Sequence, residues 1–132
     1  MRYLLDTHAV IWYFQNSSEL PQEIMEIIQS TENDVYICSI SLWEIAIKVN
    51  LKKLKLDIAF DELIKDIKNR DFGILQIEDT YLQGLSSLPF IHKDPFDRLL
   101  IAAALADDLT IITVDENIQK YDVPWIWQRS SP

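Results

Sequence analysis

The chain lacks the features that stabilise small secreted proteins or anchor proteins in membranes. Its 132 residues include one cysteine, Cys38, so no disulfide can form within the chain, which fits a reducing compartment. No apolar run approaches the ~20 residues of a membrane span, and there is no internal repeat, linker or low-complexity segment. We therefore expect one cytoplasmic domain over residues 1–132, with no membrane partner and a loose tail at 128–132.

Positive charge is also scarce, and it is unevenly placed. The net charge is −9, and Arg2 is the only lysine or arginine before Lys48. This balance argues against a protein that binds nucleic acid by simple electrostatic attraction. An acidic protein can still act on nucleic acid if its carboxylates are collected around cations.

Short apolar segments alternate with segments of helical character. Strands are predicted at residues 2–5, 35–38, 72–77, 109–114 and 123–127. Strands that alternate with helices are typical of a parallel sheet with helices on both of its faces. The sequence therefore predicts an α/β fold with a central parallel sheet of about five strands.

The most informative helix is predicted to begin after Asp94. Asp94 followed by Pro95 is typical of a helix cap with proline at the first helical position. Asp97 then lies in the first turn, and two interpretations remain open for it. It can reach back to the backbone N–H of Asp94 as part of the cap, or it can point into a cleft and help to hold a metal. His92 is interpreted as a loop or packing residue, with substrate contact as the alternative.

Four acids fall at related places in this predicted topology. Asp6 and Asp115 directly follow strands, whereas Glu44 and Asp97 are predicted in the first turns of helices. Ligands of open α/β sheets bind outside the carboxyl ends of the strands, so the four side chains can converge there. Oxygen ligands suit Mg²⁺ or Mn²⁺, which can support phosphodiester hydrolysis. Each acid also has a structural interpretation as a turn or cap residue, including a capping box between Ser41 and Glu44.

The sequence resembles the PIN-domain proteins, and most of all the VapC-like toxins of type II toxin–antitoxin systems. The resemblance runs from Leu4 to Trp127 and is strongest in Asp94-Pro95-Phe96-Asp97-Arg98-Leu99-Leu100. The other matching stretches are Leu4-Leu5-Asp6-Thr7-His8, Ser41-Leu42-Trp43-Glu44-Ile45-Ala46-Ile47-Lys48 and Thr113-Val114-Asp115.

This resemblance implies a metal-dependent endoribonuclease toxin that cleaves RNA, forms a homodimer and is neutralised by a cognate antitoxin. It implies that Asp6, Glu44, Asp97 and Asp115 are the catalytic acids and hold Mg²⁺ or Mn²⁺. Asp6 and Asp97 are expected to be direct ligands. Glu44 and Asp115 are expected to act through water or to position the attacking water.

Weaker expectations concern the residues around the acids. The hydroxyl groups of Thr7, Ser41 and Thr113 can hydrogen-bond the ligating carboxylates, although capping and packing are alternatives, and Thr7 is predicted to cap the first helix. Arg98 and Lys48 are candidates for contact with substrate phosphates. For Arg98 an ion pair with a nearby acid is the favoured alternative.

Two other functions remain open. A PIN-like module could bind protein partners with little catalysis, although all four acids are present here. A Mg²⁺-dependent phosphatase of another α/β fold could use Asp6 as its nucleophile. Such phosphatases usually carry a second aspartate two residues later, where this chain has His8.

Overall fold

The computed structural model describes residues 1–128, so most of the predicted tail, at 129–132, lies outside the described residues. Five parallel strands form one sheet in the order β3-β2-β1-β4-β5, which confirms the predicted parallel α/β fold. The strands are β1 (Arg2–Leu5), β2 (Asp34–Cys38), β3 (Gly73–Leu75), β4 (Thr110–Ile112) and β5 (Trp125–Ile126).

The connections between the strands contain seven helices in the described part of the chain. They are α1 (Thr7–Phe14), α2 (Gln22–Gln29), α3 (Ser39–Asn50), α4 (Phe60–Lys68), α5 (Asp79–Ser86), α6 (Pro95–Asp107) and α7 (Glu116–Gln119). Helices α1 and α2 connect β1 to β2, α3 and α4 connect β2 to β3, and α5 and α6 connect β3 to β4. Such long crossovers are what parallel neighbours require.

Side chains on the central strand alternate between two apolar cores. Tyr3 and Leu5 pack on one face of the sheet with residues of α1, α2 and α4, whereas Leu4 packs on the other face with residues of α5 and α6. All three side chains are almost completely buried. Burial on both faces explains why β1 reads as a continuous apolar run, and it confirms that helices cover both faces.

Two helices begin with no intervening loop, and this corrects two predicted caps. Asp6 caps α1 by accepting a hydrogen bond from the backbone N–H of Ala9, so Thr7 is the first helical residue instead of the cap. Helix α3 begins at Ser39, directly after β2, which places Ser41 inside the helix and Glu44 in its second turn. The predicted capping box is therefore wrong, because the strand passes straight into the helix and the cap position falls at Cys38, three residues before Ser41.

The sequence of α6 determines both of its ends. The carboxylate of Asp94 accepts from the backbone N–H groups of Phe96 and Asp97, at 2.9 and 3.1 Å. Pro95 occupies the first turn as predicted. The helix ends at Asp108, whose φ of 58° is in the left-handed region that aspartate tolerates better than most residues. The cap leaves the carboxylate of Asp97 available for other partners.

Gly73 should be intolerant of alanine, because a Cβ atom there would lie 2.4 and 2.6 Å from two ring atoms of Tyr36 on the neighbouring strand. We expect Gly73→Ala to lower the free energy of unfolding by ~1–3 kcal/mol. Gly84→Ala, inside α5, is the matched control. Its new Cβ would make an ordinary 3.7 Å contact with the side chain of Ala102. It should stabilise by ~0.5–1 kcal/mol. Urea denaturation measures both, and equal effects would contradict the prediction.

Candidate active site

The four predicted acids lie around the carboxyl ends of the central strands. Strands β2 and β3 lie on one side of β1, and strands β4 and β5 lie on the other. The connections from β1 and from β4 therefore run in opposite directions along the sheet. Leu5 pairs with Ile112 across these two strands, and the N–H of Asp6 donates to the carbonyl of Ile112 at 3.1 Å. This is the position at which open α/β sheets bind ligands.

Asp6 is a buried carboxylate held from two sides. Its side chain is only 2 % exposed, and Oδ1 accepts from the N–H of Ala9 at 2.8 Å. Burial raises the pKa of Asp6 to about 6, against the lowering effect of hydrogen bonds from Thr113 and Ala9. The charges of Asp115 and Glu44 raise the same pKa further. A charged Asp6 is therefore disfavoured unless a cation lies nearby.

Glu44 is buried beside Asp6 and bound by two neighbours. Its Oε1 accepts from the hydroxyl of Thr7 at 2.7 Å, and its Oε2 pairs with the ammonium of Lys48, also at 2.7 Å. The hydroxyl of Ser41 lies 3.1 Å from that of Thr7. Thr7 thus contacts an acid directly, as expected, whereas Ser41 contacts the threonine.

Asp97 projects from the first turn of α6 into the same region. Its Oδ2 is hydrogen-bonded to Nε2 of His92 at 3.1 Å, so the interpretation in which it closes the helix cap is wrong. Burial raises the pKa of Asp97 to about 7, although the hydrogen bond with His92 lowers it. The charges of Asp94, Asp115 and Glu44 raise it as well. Asp97 therefore behaves as a member of an acidic cluster.

Asp115 combines a structural role with a place in the cluster. Its Oδ1 caps α7 by accepting from the N–H of Asn117 at 2.8 Å, and its own N–H donates to the hydroxyl of Thr113 at 2.9 Å. Hydrogen bonding from the buried Thr113 also lowers the pKa of Asp6, so this residue influences the acids that follow both β1 and β4.

The four acids act on one another electrostatically. Glu44 and Asp115 each raise the pKa of both Asp6 and Asp97. Within residues 1–128, Lys48 is the only lysine or arginine that forms a salt bridge with one of them. No group of three or more histidine, cysteine or acidic side chains in that part of the chain is already arranged as a metal site. The donor set is nevertheless made of carboxylate oxygens with uncompensated charge, which fits Mg²⁺ or Mn²⁺.

Within residues 1–128, Arg98 forms no salt bridge, so the predicted ion pair is not found there. Its guanidinium donates to the backbone carbonyls of Pro89 and Leu88, at 3.0 and 3.4 Å, and to the hydroxyl of Tyr121 at 3.0 Å. The guanidinium also lies 4.9 Å from the centre of the Phe90 ring. Arg98 therefore braces the loop before α6 through hydrogen bonds to the carbonyl groups of that loop.

The contact of His92 with Asp97 is the feature that sequence reasoning missed. His92 precedes Asp97 by five residues, and the break before Pro95 turns the loop back so that the two side chains meet. The short distance between His92 and Asp97 in the sequence was a usable signal that their side chains could meet. The second partner of His92, Tyr121, lies 29 residues away, and no spacing rule indicates it.

Comparison with known proteins identifies the fold. The sequence matches the PIN domain family over residues 3–124, and the chain belongs to that family. No curated protein sequence matches it. Within residues 1–128, no helix has the length and apolar character needed to cross a membrane.

Several solved structures are similar to this chain. In the crystal structure of VapBC2 from Rickettsia felis bound to a promoter DNA fragment, the similar chain is 17 % identical. The TM-score is 0.73, and the match covers 96 % of this chain and 98 % of that one. FitAcB from Neisseria gonorrhoeae is 20 % identical, with a TM-score of 0.65 and coverage of 93 and 95 %. A toxin–antitoxin complex from Klebsiella pneumoniae is 17 % identical, with a TM-score of 0.64 and coverage of 94 and 95 %.

Proposed function

We propose that this protein is a metal-dependent endoribonuclease toxin that is neutralised by a cognate antitoxin. The observation that carries the proposal is the convergence of Asp6, Glu44, Asp97 and Asp115 on one edge of a PIN-domain sheet. Burial raises the pKa values of Asp6 and Asp97, and the negative charges of Glu44 and Asp115 raise them further. A divalent cation is the simplest partner that compensates such a charge.

Asp6 and Asp97 are the proposed direct ligands of Mg²⁺ or Mn²⁺, because they are the two acids whose pKa values are clearly raised. When bound, such an ion binds phosphate oxygens and lowers the pKa of an attacking water. Glu44 and Asp115 are proposed to hold or orient that water. Thr7 and Thr113 support the carboxylates that they contact, Glu44 and Asp6.

The substrate that we propose is RNA, and Lys48 is the candidate for contact with its phosphates. The side chain of Lys48 is 39 % exposed, and its ammonium pairs with Glu44 at 2.7 Å. Its pKa is raised by the hydrogen bond with Glu44, and the charges of Asp94 and Asp97 raise it further, so it faces the cluster as a cation. We assign Arg98 to loop bracing, since its donors are used by the chain itself.

The proposed partner is an antitoxin, and the proposed assembly contains a homodimer of this chain. The similar structures include VapBC2 and a toxin–antitoxin complex, and the match spans nearly the whole of this chain. The single cysteine is buried and free, which fits the cytoplasm as the proposed location.

The test is cleavage of a structured RNA mixture by the purified protein without its partner, in Mg²⁺, in Mn²⁺ and in chelator. We expect cleavage that stops in chelator and returns when the metal is restored. Single-stranded DNA of the same sequence, tested in parallel, should remain intact. Cleavage that persists in chelator would contradict the metal requirement. A protein that binds its antitoxin but cuts no RNA in either metal would instead be a PIN-like binding module.

A further inference from the structure

A chain of partly buried side-chain hydrogen bonds leads from Arg98 to Asp97. The guanidinium of Arg98 donates to the hydroxyl of Tyr121 at 3.0 Å. That hydroxyl lies 2.9 Å from Nδ1 of His92, and Nε2 of the same ring lies 3.1 Å from Oδ2 of Asp97. Tyr121 is buried, and the side chains of His92 and Asp97 are only 13 and 14 % exposed.

The donors around Tyr121 determine where its own proton must point. A phenol oxygen has two acceptor positions, and both are used here by N–H donors, one from Arg98 and one from the backbone of His92 at 3.2 Å. The single hydroxyl proton of Tyr121 is then left to donate. Its nearest acceptor is Nδ1 of His92, at 2.9 Å, whereas the carbonyl of His92 lies at 3.4 Å.

The tautomer of His92 follows from this arrangement. If Nδ1 accepts from Tyr121, a neutral imidazole carries its proton on Nε2. The Nε2–H group then donates a hydrogen bond to the carboxylate of Asp97. The opposite tautomer would place three N–H donors on the oxygen of Tyr121, which has only two acceptor positions.

We propose that His92 is a positioning residue for Asp97, and that Arg98 and Tyr121 fix it as the Nε2–H tautomer. The proposal rests on the function proposed above, because it assigns the held carboxylate to cation binding. In the part of the chain that the structure describes, His92 makes the one hydrogen bond to the side chain of Asp97. This contact fixes Oδ2 and leaves Oδ1 available for a cation. Outer partners of this kind orient metal-binding carboxylates in proteins.

The tautomer is directly observable, because the chain has only two histidines, His8 and His92. Long-range ¹H–¹⁵N correlation spectra of ¹⁵N-histidine-labelled protein, recorded above the ordinary histidine pKa of ~6.5, distinguish the two tautomers. We expect His92 as the Nε2–H form, with the exposed His8 as an internal reference. Tyr121→Phe should convert His92 to a mixture, whereas Tyr13→Phe, at a distant ring, should not. An Nδ1–H form of His92 in the wild type would overturn the proposal.

The functional consequence is tested by Mn²⁺ affinity, measured by calorimetry. We expect His92→Leu to weaken Mn²⁺ binding by about tenfold or more, as for other outer partners of metal ligands. His92→Gln should recover most of the affinity, because its amide nitrogen can reach Asp97 as a donor. If the role of His92 were merely structural, the leucine variant, which has no donor, and the glutamine variant, which keeps one, would bind Mn²⁺ with similar affinity.

The outcomes separate this inference from the function on which it rests. If the wild type binds Mn²⁺ and cleaves RNA but His92→Leu keeps full affinity, the positioning role is overturned and the nuclease proposal is not. If the wild type binds no Mn²⁺, the proposed function fails, and the role of His92 fails with it. Equal losses in His92→Leu and His92→Gln would also count against donation to Asp97.

Discussion

Replacing Asp97 with asparagine is expected to abolish RNA cleavage and, at the same time, to stabilise the metal-free protein. The loss of a proposed direct metal ligand should lower the cleavage rate by at least ~10³-fold, since metal ions supply several kcal/mol of transition-state stabilisation. The free energy of unfolding should rise by ~1–3 kcal/mol, because burial disfavours the charged form of Asp97 and raises its pKa to about 7. Asparagine is neutral and does not carry this penalty. RNA cleavage assays and urea denaturation in chelator measure the two effects.

The matched control is Asp94→Asn on the same helix. Asparagine caps helices about as well as aspartate does, so the hydrogen bonds to Phe96 and Asp97 should persist and cleavage should continue. If Asp97→Asn destabilises the metal-free protein and leaves cleavage intact, Asp97 is a structural acid and the proposed site is wrong.

The metal-free protein is expected to lose stability as the pH rises, and Mg²⁺ is expected to restore it. Asp6 and Asp97 have folded-state pKa values of about 6 and 7, against an ordinary value of 3.8. A carboxyl group with a raised pKa binds its proton more tightly in the folded state. Its stabilising contribution is therefore complete below about 3.8 and is lost as the pH rises through about 6 to 7. For Asp6 alone the difference corresponds to ~3 kcal/mol.

Thermal unfolding in chelator should therefore show a melting temperature that is lower by on the order of 10 °C near pH 8 than near pH 5. Mg²⁺ should raise the melting temperature much more at the higher pH, because protons compete with metal for the carboxylates. A double variant with asparagine at Asp6 and Asp97 is the control and should show a flatter profile. A wild-type stability that is independent of both pH and Mg²⁺ would be inconsistent with a metal site at these acids.

The parts of this structure that could be predicted from the sequence are those determined by local pattern. The helix that begins after Asp94 was predicted because cap, proline and apolar run all favour the same start. The parallel sheet was predicted because apolar strand segments alternate with helical segments along the chain. The ends of β3, β4 and β5 were less accurate, since pairing with neighbours determines where a short strand stops.

The errors share a physical cause, which is competition between several partners for one polar side chain. Ser41 and Glu44 have the spacing of a capping box. The carboxylate of Glu44 instead accepts hydrogen bonds from Thr7, in another helix, and from Lys48, one turn further along its own helix. Arg98 has acids within a few residues, yet backbone carbonyls of the folded loop lie closer to its guanidinium. Tyr121 could not be linked to His92 from sequence, because only the closed fold brings the segment after α7 beside that loop.

The placement of β1 at the middle of the sheet has a consequence for synthesis on the ribosome. The first strand to emerge needs two neighbours, β2 and β4, and the second of these ends only at Ile112. A nascent chain therefore carries Asp6 for most of its translation without Asp97 or Asp115. The edge of β1 that faces β4 therefore stays unpaired until the segment up to Ile112 has been made, and the proposed site can close only after that.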